Sequence, residues 1–435
     1  MKRGLGMMKR CELFFSAVFL VLAMTGPVKA DGKKILTAID EANPVCKSVS
    51  EKIFEYKELG QKEFKSSALL MEELRKLGFK VTGDLKVPAD LTEDKSGIAK
   101  TAFLAELKGK EAGPTMTFML EYDALKNGHA CGHNLIATSG LLAVAGLAKV
   151  MPETPGRILV VGTPDEERGS LGGGKIALLE GGYFEGSDVV FITHPSDRWN
   201  TDMRSLAMKR ATFIFKGKAS HAAASPHKGI SALDAAILTF NATDMLREHV
   251  REDVRIHGII KKGGDLVNVV PEFAETEFAV RALDTQTMEE TYKKVINCAK
   301  SGELATGATL EFKEPRTSLK AAVKIPTLTK AVLDQARVLG VSDTDVISTT
   351  ESGSSDLGNV GHAFPTVELK FKIAKEGTAG HSDAFREAAA SAEGWKATVI
   401  AGKALALTAY ELLTHPEKVK EIQDKFKELK AREGK

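Results

Sequence analysis

Three apolar runs in this sequence end in groups that can hold a metal ion. Thr115–Leu120 leads into Glu121-Tyr122-Asp123 and on to His129-Ala130-Cys131-Gly132-His133. Arg157–Gly162 leads into Asp165-Glu166-Glu167, and the run 188–193 leads into His194. A fourth run, 366–373, is followed by His381 in Gly380-His381-Ser382-Asp383. Thiolate, imidazole and carboxylate together suit zinc, or another first-row divalent cation such as manganese or cobalt. Cys131, His133, Glu167, His194 and His381 are more donors than one tetrahedral zinc takes, so the pattern predicts two ions sharing ligands. Cys131 and His133 stand two apart. In an extended segment such residues project to one side, and the flanking Gly128 and Gly132 permit unusual backbone angles near an ion.

Glu166 and Glu167 cannot both do the same job. With Glu167 as a ligand, Glu166 is free to take a proton from a water that a divalent cation has acidified, and later to return it to a leaving amine. Asp123 is a candidate to orient an imidazole from behind. His129 and Asp165 read as local hydrogen-bonding residues. Any one of these groups alone would be commonplace, since a lone Cys or His usually packs and an acidic triplet usually marks a solvated turn. Their recurrence after separate buried strands is what singles them out.

The elements that must position these groups follow from periodicity. The runs 101–107, 115–120, 157–162 and 188–193 are short, apolar and bounded by turn residues, so they read as buried strands. Between them lie an alanine- and leucine-rich helix over 135–151 and a shorter one over 176–179. Residues 45–77 read as helical, with Leu69, Leu70, Leu74 and Leu77 in phase. Alternating strands and helices imply an α/β sheet covered on both faces. In such a sheet ligands bind outside the carboxyl ends of the strands, where the candidate donors stand. The middle of the chain differs in texture. Ala211, Phe213 and Phe215 alternate as in a strand, and 231–247 is an amphipathic helix. Then 254–261 and 275–283 read as strands, 288–299 as helix and Thr309–Lys313 as strand. That βαββαβ order is ferredoxin-like. The expected organisation is one α/β domain (31–205 and 318–435) interrupted by an insertion (206–317). The α/β texture ends in a helical region over 393–430.

Other features bound the reading. Lys and Arg number 60 against 58 Asp and Glu, a net charge of +2, which argues against a broad nucleic-acid-binding character. Four cysteines in 435 residues exclude a disulfide scaffold. Lys2, Arg3, Lys9 and Arg10 precede an apolar run over 13–24, and Val28-Lys29-Ala30 offers small residues where a signal peptidase reads. Residues 1–30 are therefore expected to be a cleaved secretory signal, giving a secreted or periplasmic protein free of the membrane. Cys11 leaves with that segment. Cys46, Cys131 and Cys298 remain, an odd number in an oxidising compartment, and metal ligation would occupy Cys131. The run Gly169-Ser170-Leu171-Gly172-Gly173-Gly174-Lys175 approaches a phosphate-binding motif, but Ile176 stands where Ser or Thr should bind magnesium. It reads as a loop entering a helix.

The ordered set Glu121-Tyr122-Asp123-Ala124-Leu125, His129-Ala130-Cys131-Gly132-His133-Asn134, Thr163-Pro164-Asp165-Glu166-Glu167, Thr193-His194-Pro195, Lys218-Ala219-Ser220-His221-Ala222, Asn268-Val269-Val270-Pro271 and Gly380-His381 resembles the co-catalytic metallopeptidase and amidohydrolase family. That family includes aminoacylase and glutamate carboxypeptidase. Ser354-Ser355-Asp356-Leu357-Gly358-Asn359-Val360 resembles a signature of its branch with p-aminobenzoyl-glutamate hydrolase and dipeptidases that release a basic residue. The resemblance implies a phosphorylase/hydrolase-like mixed-sheet α/β catalytic domain carrying an inserted ferredoxin-like α+β dimerisation domain. It implies two divalent ions on Cys131, His133, Glu167, His194 and His381, with Glu166 as base. It also implies that His221 reaches across a homodimer to steady the tetrahedral intermediate, and that Asn268 and Arg281 bind the substrate carboxylate. Asn134 and Ile136 stand where many amidohydrolase relatives have Asp and His, and Asp165 where a small residue is common.

The expected activity is metal-dependent hydrolysis of the amide bond of a dipeptide, or of an N-acyl or aminobenzoyl amino acid, with release of a C-terminal amino acid. Two alternatives stay open. One is a non-catalytic metal- or peptide-binding module, which would have no need of Glu166. The other is a cysteine hydrolase using Cys131 with His133 or His129, which would survive chelation.

Overall fold

The computed structural model describes residues 30–433 apart from 168–172, 202–204 and 349–352. The segment read as a secretory signal, and residues 169–172 of the glycine-rich run, lie outside them. Helices α1 (Ala30–Tyr56) and α2 (Phe64–Lys76) stand in place of the continuous helix expected over 45–77. The chain breaks where Lys57 and Gln61 take positive φ, 49° and 60°. The break brings Glu58 to the functional edge of the fold, its carbonyl accepting the Ala124 amide at 2.8 Å. Apolar phase resumes after the interruption, so periodicity alone does not register it.

β1 (Lys80–Lys86) forms an antiparallel pair with β2 (Ile98–Lys108). β1 lies at the sheet edge with little buried, and its composition carries no apolar run to announce it. β3 (Thr115–Leu120), α3 (His133–Ala148), β4 (Arg157–Gly162), α4 (Gly174–Glu180) and β5 (Val189–Ser196) follow.

The second sheet is built wholly between Ala207 and Lys313. Its elements are β6 (Ala207–Lys216), α5 (Ala232–Leu246), β7 (Arg255–Lys262), β8 (Phe273–Ala282), α6 (Thr285–Thr306) and β9 (Thr309–Lys313). The strand order is β7-β8-β6-β9 and every pair is antiparallel, which is ferredoxin-like. The alternation seen at Ala211, Phe213 and Phe215 buries them with Phe278 and Val295 in a separate core. Local chemistry fixes the helix starts. Ser231 Oγ accepts the Asp234 amide and Asp284 Oδ1 the Thr287 amide, satisfying N–H groups that have no helical partner.

The chain then returns through α7 (Pro326–Val338), α8 (Leu357–Ala363), β10 (Thr366–Lys372), α9 (Asp383–Ala389), α10 (Ala392–Thr414) and α11 (Pro416–Lys430). Pro416, which cannot continue a helical ladder, divides the expected 393–430 region between the last two. The six-stranded sheet has the order β1-β2-β4-β3-β5-β10. β4, β3, β5 and β10 are parallel, and β2 runs antiparallel to β4. Successive residues feed two cores. Phe118, Val160, Phe191 and Leu369 pack with Ile35, Leu141 and Leu405 of α1, α3 and α10. Met119, Val161, Val190 and Ile192 pack with Ile176 of α4 and Val360 of α8. Burial on both faces explains why these strands are apolar throughout rather than alternating. It also holds their carboxyl ends rigidly side by side.

Candidate metal centre

Every predicted donor emerges from that edge. Cys131 and His133 are not in an extended segment. Cys131 lies in a turn and His133 is the first residue of α3. Gly132 between them is left-handed at φ 77°, and a Cβ there would stand 2.8 Å from Pro195 Cγ. Glycine therefore lets the turn reverse tightly against the end of β5, which is what aims both side chains inward. His194 lies within β5, and His381 sits in the turn before α9 at φ 65° with its amide on the Ala130 carbonyl at 3.0 Å.

The donor atoms converge. Cys131 Sγ is 3.4 Å from His194 Nε2. Glu167 Oε1 is 3.7 Å from His133 Nε2 and 3.5 Å from His381 Nε2. The donors of Cys131, His133 and His194 lie within 4.8 Å of one another, as do those of Cys131, Glu167 and His381, and those of His133, Glu166 and Glu167. Cys131, His133 and Glu167 thus each belong to two of the three groups.

The imidazoles are held with their lone pairs inward. Asp123 Oδ1 accepts from His133 Nδ1 at 2.8 Å and the Pro195 carbonyl from His194 Nδ1 at 2.7 Å, so the Nε2 atoms face the centre unprotonated in the neutral tautomers. Asp123 Oδ2 also accepts the Glu167 amide at 2.9 Å, so one carboxylate aligns two donors. His133 Nε2 and Glu167 Oε1 are buried with no hydrogen-bond partner. Buried polar atoms are normally satisfied, and these two point where a shared cation would sit, so the residues fit a divalent metal. Burial works against a Cys131 thiolate, but His194 and His133, in the protonated form that they take when no cation occupies the centre, overcome it and hold the thiol well below its ordinary range. The centre therefore offers thiolate, the form that ligates.

The next layer contains residues that sequence reasoning missed. Lys175 is fully buried, with Nζ 2.7 Å from Glu121 Oε1 and paired with Asp356 Oδ1. Glu121 Oε2 in turn is 3.5 Å from His133 Nε2. Lys175 ends the glycine-rich run, so its charge is spent inside the protein rather than offered to a phosphate. The signal available was the coincidence of Gly-Gly-Gly-Lys with Ser-Ser-Asp, two motifs distant in sequence. Asp165 shapes the turn that presents the paired glutamates. Its amide donates to Glu63 Oε1 at 2.9 Å and its Oδ2 accepts from Gln61 Nε2 at 2.7 Å. His129 faces away, its Nε2 donating to the Ile53 carbonyl at 2.9 Å, and burial then His133 hold it down at about 4.

A cleft of about 1260 Å³ opens over the centre, lined by Cys131, Glu166, His194 and His381 below and by Arg210 and Glu277 of the ferredoxin-like sheet above. Arg281, at the end of β8, donates from Nη1 to Ser354 Oγ at 3.3 Å, while its Nε is buried without a partner. His221 and Asn268 lie elsewhere. Both are exposed, and the Asn268 carbonyl accepts the Ala222 amide at 2.9 Å. They adjoin the Phe273 end of β8, which is separated from Arg281 by roughly 26 Å of strand at about 3.3 Å per residue. Within one chain, then, Asn268 and Arg281 do not meet, and His221 does not line its own cleft. His221 Nδ1 accepts the Ala223 and Ala224 amides at 3.2 and 3.1 Å, leaving the proton on Nε2.

Ligation by Cys131 has a direct check. Iodoacetamide should modify Cys131 after chelator treatment and spare it in metal-loaded protein. Cys46 should stay unmodified in both, because burial, with Glu73 adding, pushes its thiol up to about 12. Peptide mass spectrometry reads both sites, and equal labelling of Cys131 in the two samples would remove it from the ligand set.

Residues 113–398 match the sequence profile of peptidase family M20/M25/M40. The chain is 37% identical over 343 residues to the Xaa-Arg dipeptidase of Homo sapiens, covering 75% of this chain and 78% of that protein. It is 33% identical over 288 residues to one of the subunits of p-aminobenzoyl-glutamate hydrolase from Escherichia coli strain K12, covering 60% and 56%. In fold it is similar to a dinuclear metal-binding peptidase of Bacillus subtilis (TM-score 0.65, 19% identity, 86% of this chain and 99% of that one). It is also similar to an aminobenzoyl-glutamate utilization protein of Klebsiella pneumoniae (TM-score 0.63, 18% identity, 86% and 97%).

Proposed function

Since the chain belongs to peptidase family M20/M25/M40, we propose that it is a metal-dependent hydrolase that cleaves the amide bond of dipeptides or of N-acyl or aminobenzoyl amino acids and releases a C-terminal amino acid. The observation that carries this reading is the gathering of Cys131, His133, Glu167, His194 and His381 beside a further carboxylate, Glu166, at one edge of the sheet. Two divalent cations held by these residues, zinc by donor chemistry with manganese or cobalt as alternatives, would supply an acidified water and a polarised scissile carbonyl.

The chain's own groups do the rest. Glu166 Oε1 accepts from Ser355 Oγ at 2.7 Å, so the carboxylate is aimed while Oε2 stays available for a proton. Burial lifts its pKa above the ordinary range, opposed by Lys175 and helped by Glu121, which suits a group that must accept a proton and return it to the leaving nitrogen. Asp123 fixes the orientation of His133 throughout. Arg281, half-buried with Nε unpartnered, offers a fork to the terminal carboxylate of the substrate.

His221 completes the site from a second copy of the chain. It is exposed and is not among the residues that line its own cleft, and its Nε2 proton is free, which supports donation in trans to the carbonyl oxygen as charge builds there. Asn268 travels with it. Exposed Ile259 and Ile260 on the edge strand β7, with Leu266 and Val267 beyond it, support a homodimer through this sheet. The N-terminal charged and apolar segment supports export to the periplasm or beyond.

A panel of alanyl-arginine, alanyl-lysine, p-aminobenzoyl-glutamate and N-acetyl amino acids, assayed with metal content measured, tests the activity. Hydrolysis of at least one member, abolished by chelation and restored by a divalent metal, is expected. Chelator-resistant turnover would transfer the chemistry to Cys131, and a metal-loaded protein inert to the whole panel would favour a binding module.

A further inference from the structure

Residues 353–359 form a strap between the two sheets. Its anchor is the buried pair of Asp356 and Lys175. Asp356 Oδ2 also accepts the Lys175 amide at 3.0 Å, and a Cβ on Gly173 would run into that oxygen, so the glycine permits the approach. The strap is tied to both chain crossings into the ferredoxin-like unit. Ser205 Oγ accepts the Ser355 amide and donates to the Ser355 carbonyl, each at 3.2 Å. Asn359 Nδ2 donates to the Ser318 carbonyl at 3.0 Å and its Oδ1 accepts the Lys320 amide at 3.1 Å. From β8, Arg281 reaches Ser354 Oγ. One residue on, Ser355 Oγ accepts the Leu357 amide at 3.2 Å, which leaves its single proton for Glu166 Oε1 at 2.7 Å.

We propose that Ser355 is a positioning residue that holds the Glu166 carboxylate in its productive orientation, and that the strap makes this orientation depend on how the ferredoxin-like unit is seated. The inference rests on the reading of Glu166 as the base. Glu166 has rotatable bonds and sits in a cleft open on one side, so a hydrogen bond from a strap fixed by a buried ion pair is what limits its swing. A hydroxyl is the required feature, because a methyl group in its place has nothing to donate and misplacement of a reacting group is costly.

The test uses the full-length, metal-loaded protein and alanyl-arginine, or whichever panel member it hydrolyses. Ser355→Ala should lower kcat by about 10- to 100-fold with KM within about twofold and metal content unchanged. Ser355→Thr, which keeps the hydroxyl, should recover most of the loss. In a Glu166→Gln background, Ser355→Ala should have no further effect, because the two residues act as one unit. Unchanged kcat in Ser355→Ala, equal damage in the Ala and Thr variants, or a full additional loss on Glu166→Gln would each overturn the positioning role. An active Glu166→Gln enzyme would instead overturn the base assignment, so the two failures are distinct.

Discussion

Glu166→Gln protein is expected to fold, to keep its full complement of metal, and to lose about 10³-fold in kcat, within the 10²- to 10⁴-fold range of general acid–base catalysis. Gln preserves the shape of the side chain, and its carbonyl oxygen can still accept from Ser355 Oγ. What it cannot do is take a proton. The buried Lys175 keeps Glu121 and Asp356 as partners, so removing one nearby negative charge leaves no orphaned cation. KM should move little, because the residues that would hold the substrate, Arg281 among them, are untouched. Steady-state kinetics with elemental analysis of the same preparation decides the matter. Turnover near the parent level would falsify the assignment, and would fit a thiol nucleophile or a binding-only protein better than a metallohydrolase.

The second large effect is one of complementation. His221→Ala should cost about 10²-fold, the usual loss on removing one donor to a developing oxyanion. Mixed with Glu166→Gln subunits and allowed to exchange, it should regain activity that neither parent has. In a two-fold dimer each site would take Glu166 from one subunit and His221 from the other. A mixed dimer then carries one intact site and one doubly damaged site. With half of the dimers mixed at equal input, about a quarter of the unsubstituted protein's activity is expected. This expectation rests on the placement of His221 and Asn268, which are exposed and do not line the cleft of their own chain. If native mass spectrometry shows exchanged dimers and activity stays at the level of the parents, His221 does not act in trans.

Much of this site is legible in the sequence. Cys131, His133, Glu167, His194 and His381 follow apolar runs that read as buried strands, and parallel strands deliver their carboxyl ends to one edge. The ferredoxin-like insertion is legible for a similar reason, since alternation at Ala211, Phe213 and Phe215 differs from the uniform burial of β3. Other features are hidden. The break between α1 and α2 depends on two residues at positive φ, and neither Lys57 nor Gln61 is a type that announces it. β1 is a peripheral strand with little to bury. Spacing pairs Cys131 with His133 for the wrong reason, through an extended segment, when a left-handed Gly132 before a helix does the aiming.

The inventory of this protein is written along the chain: which groups could ligate, which further carboxylate adjoins them, and which strands carry them to a common edge. Those follow from residue type and from periodicity, both local properties. The folded chain alone reveals that Lys175 faces inward onto Glu121 and Asp356, that Ser355 donates to Glu166, and that Arg281 lies near one end of β8 while Asn268 lies in the segment before the other. Such relations join residues distant along the chain, and they are set by packing and strand register, for which local pattern contains no term.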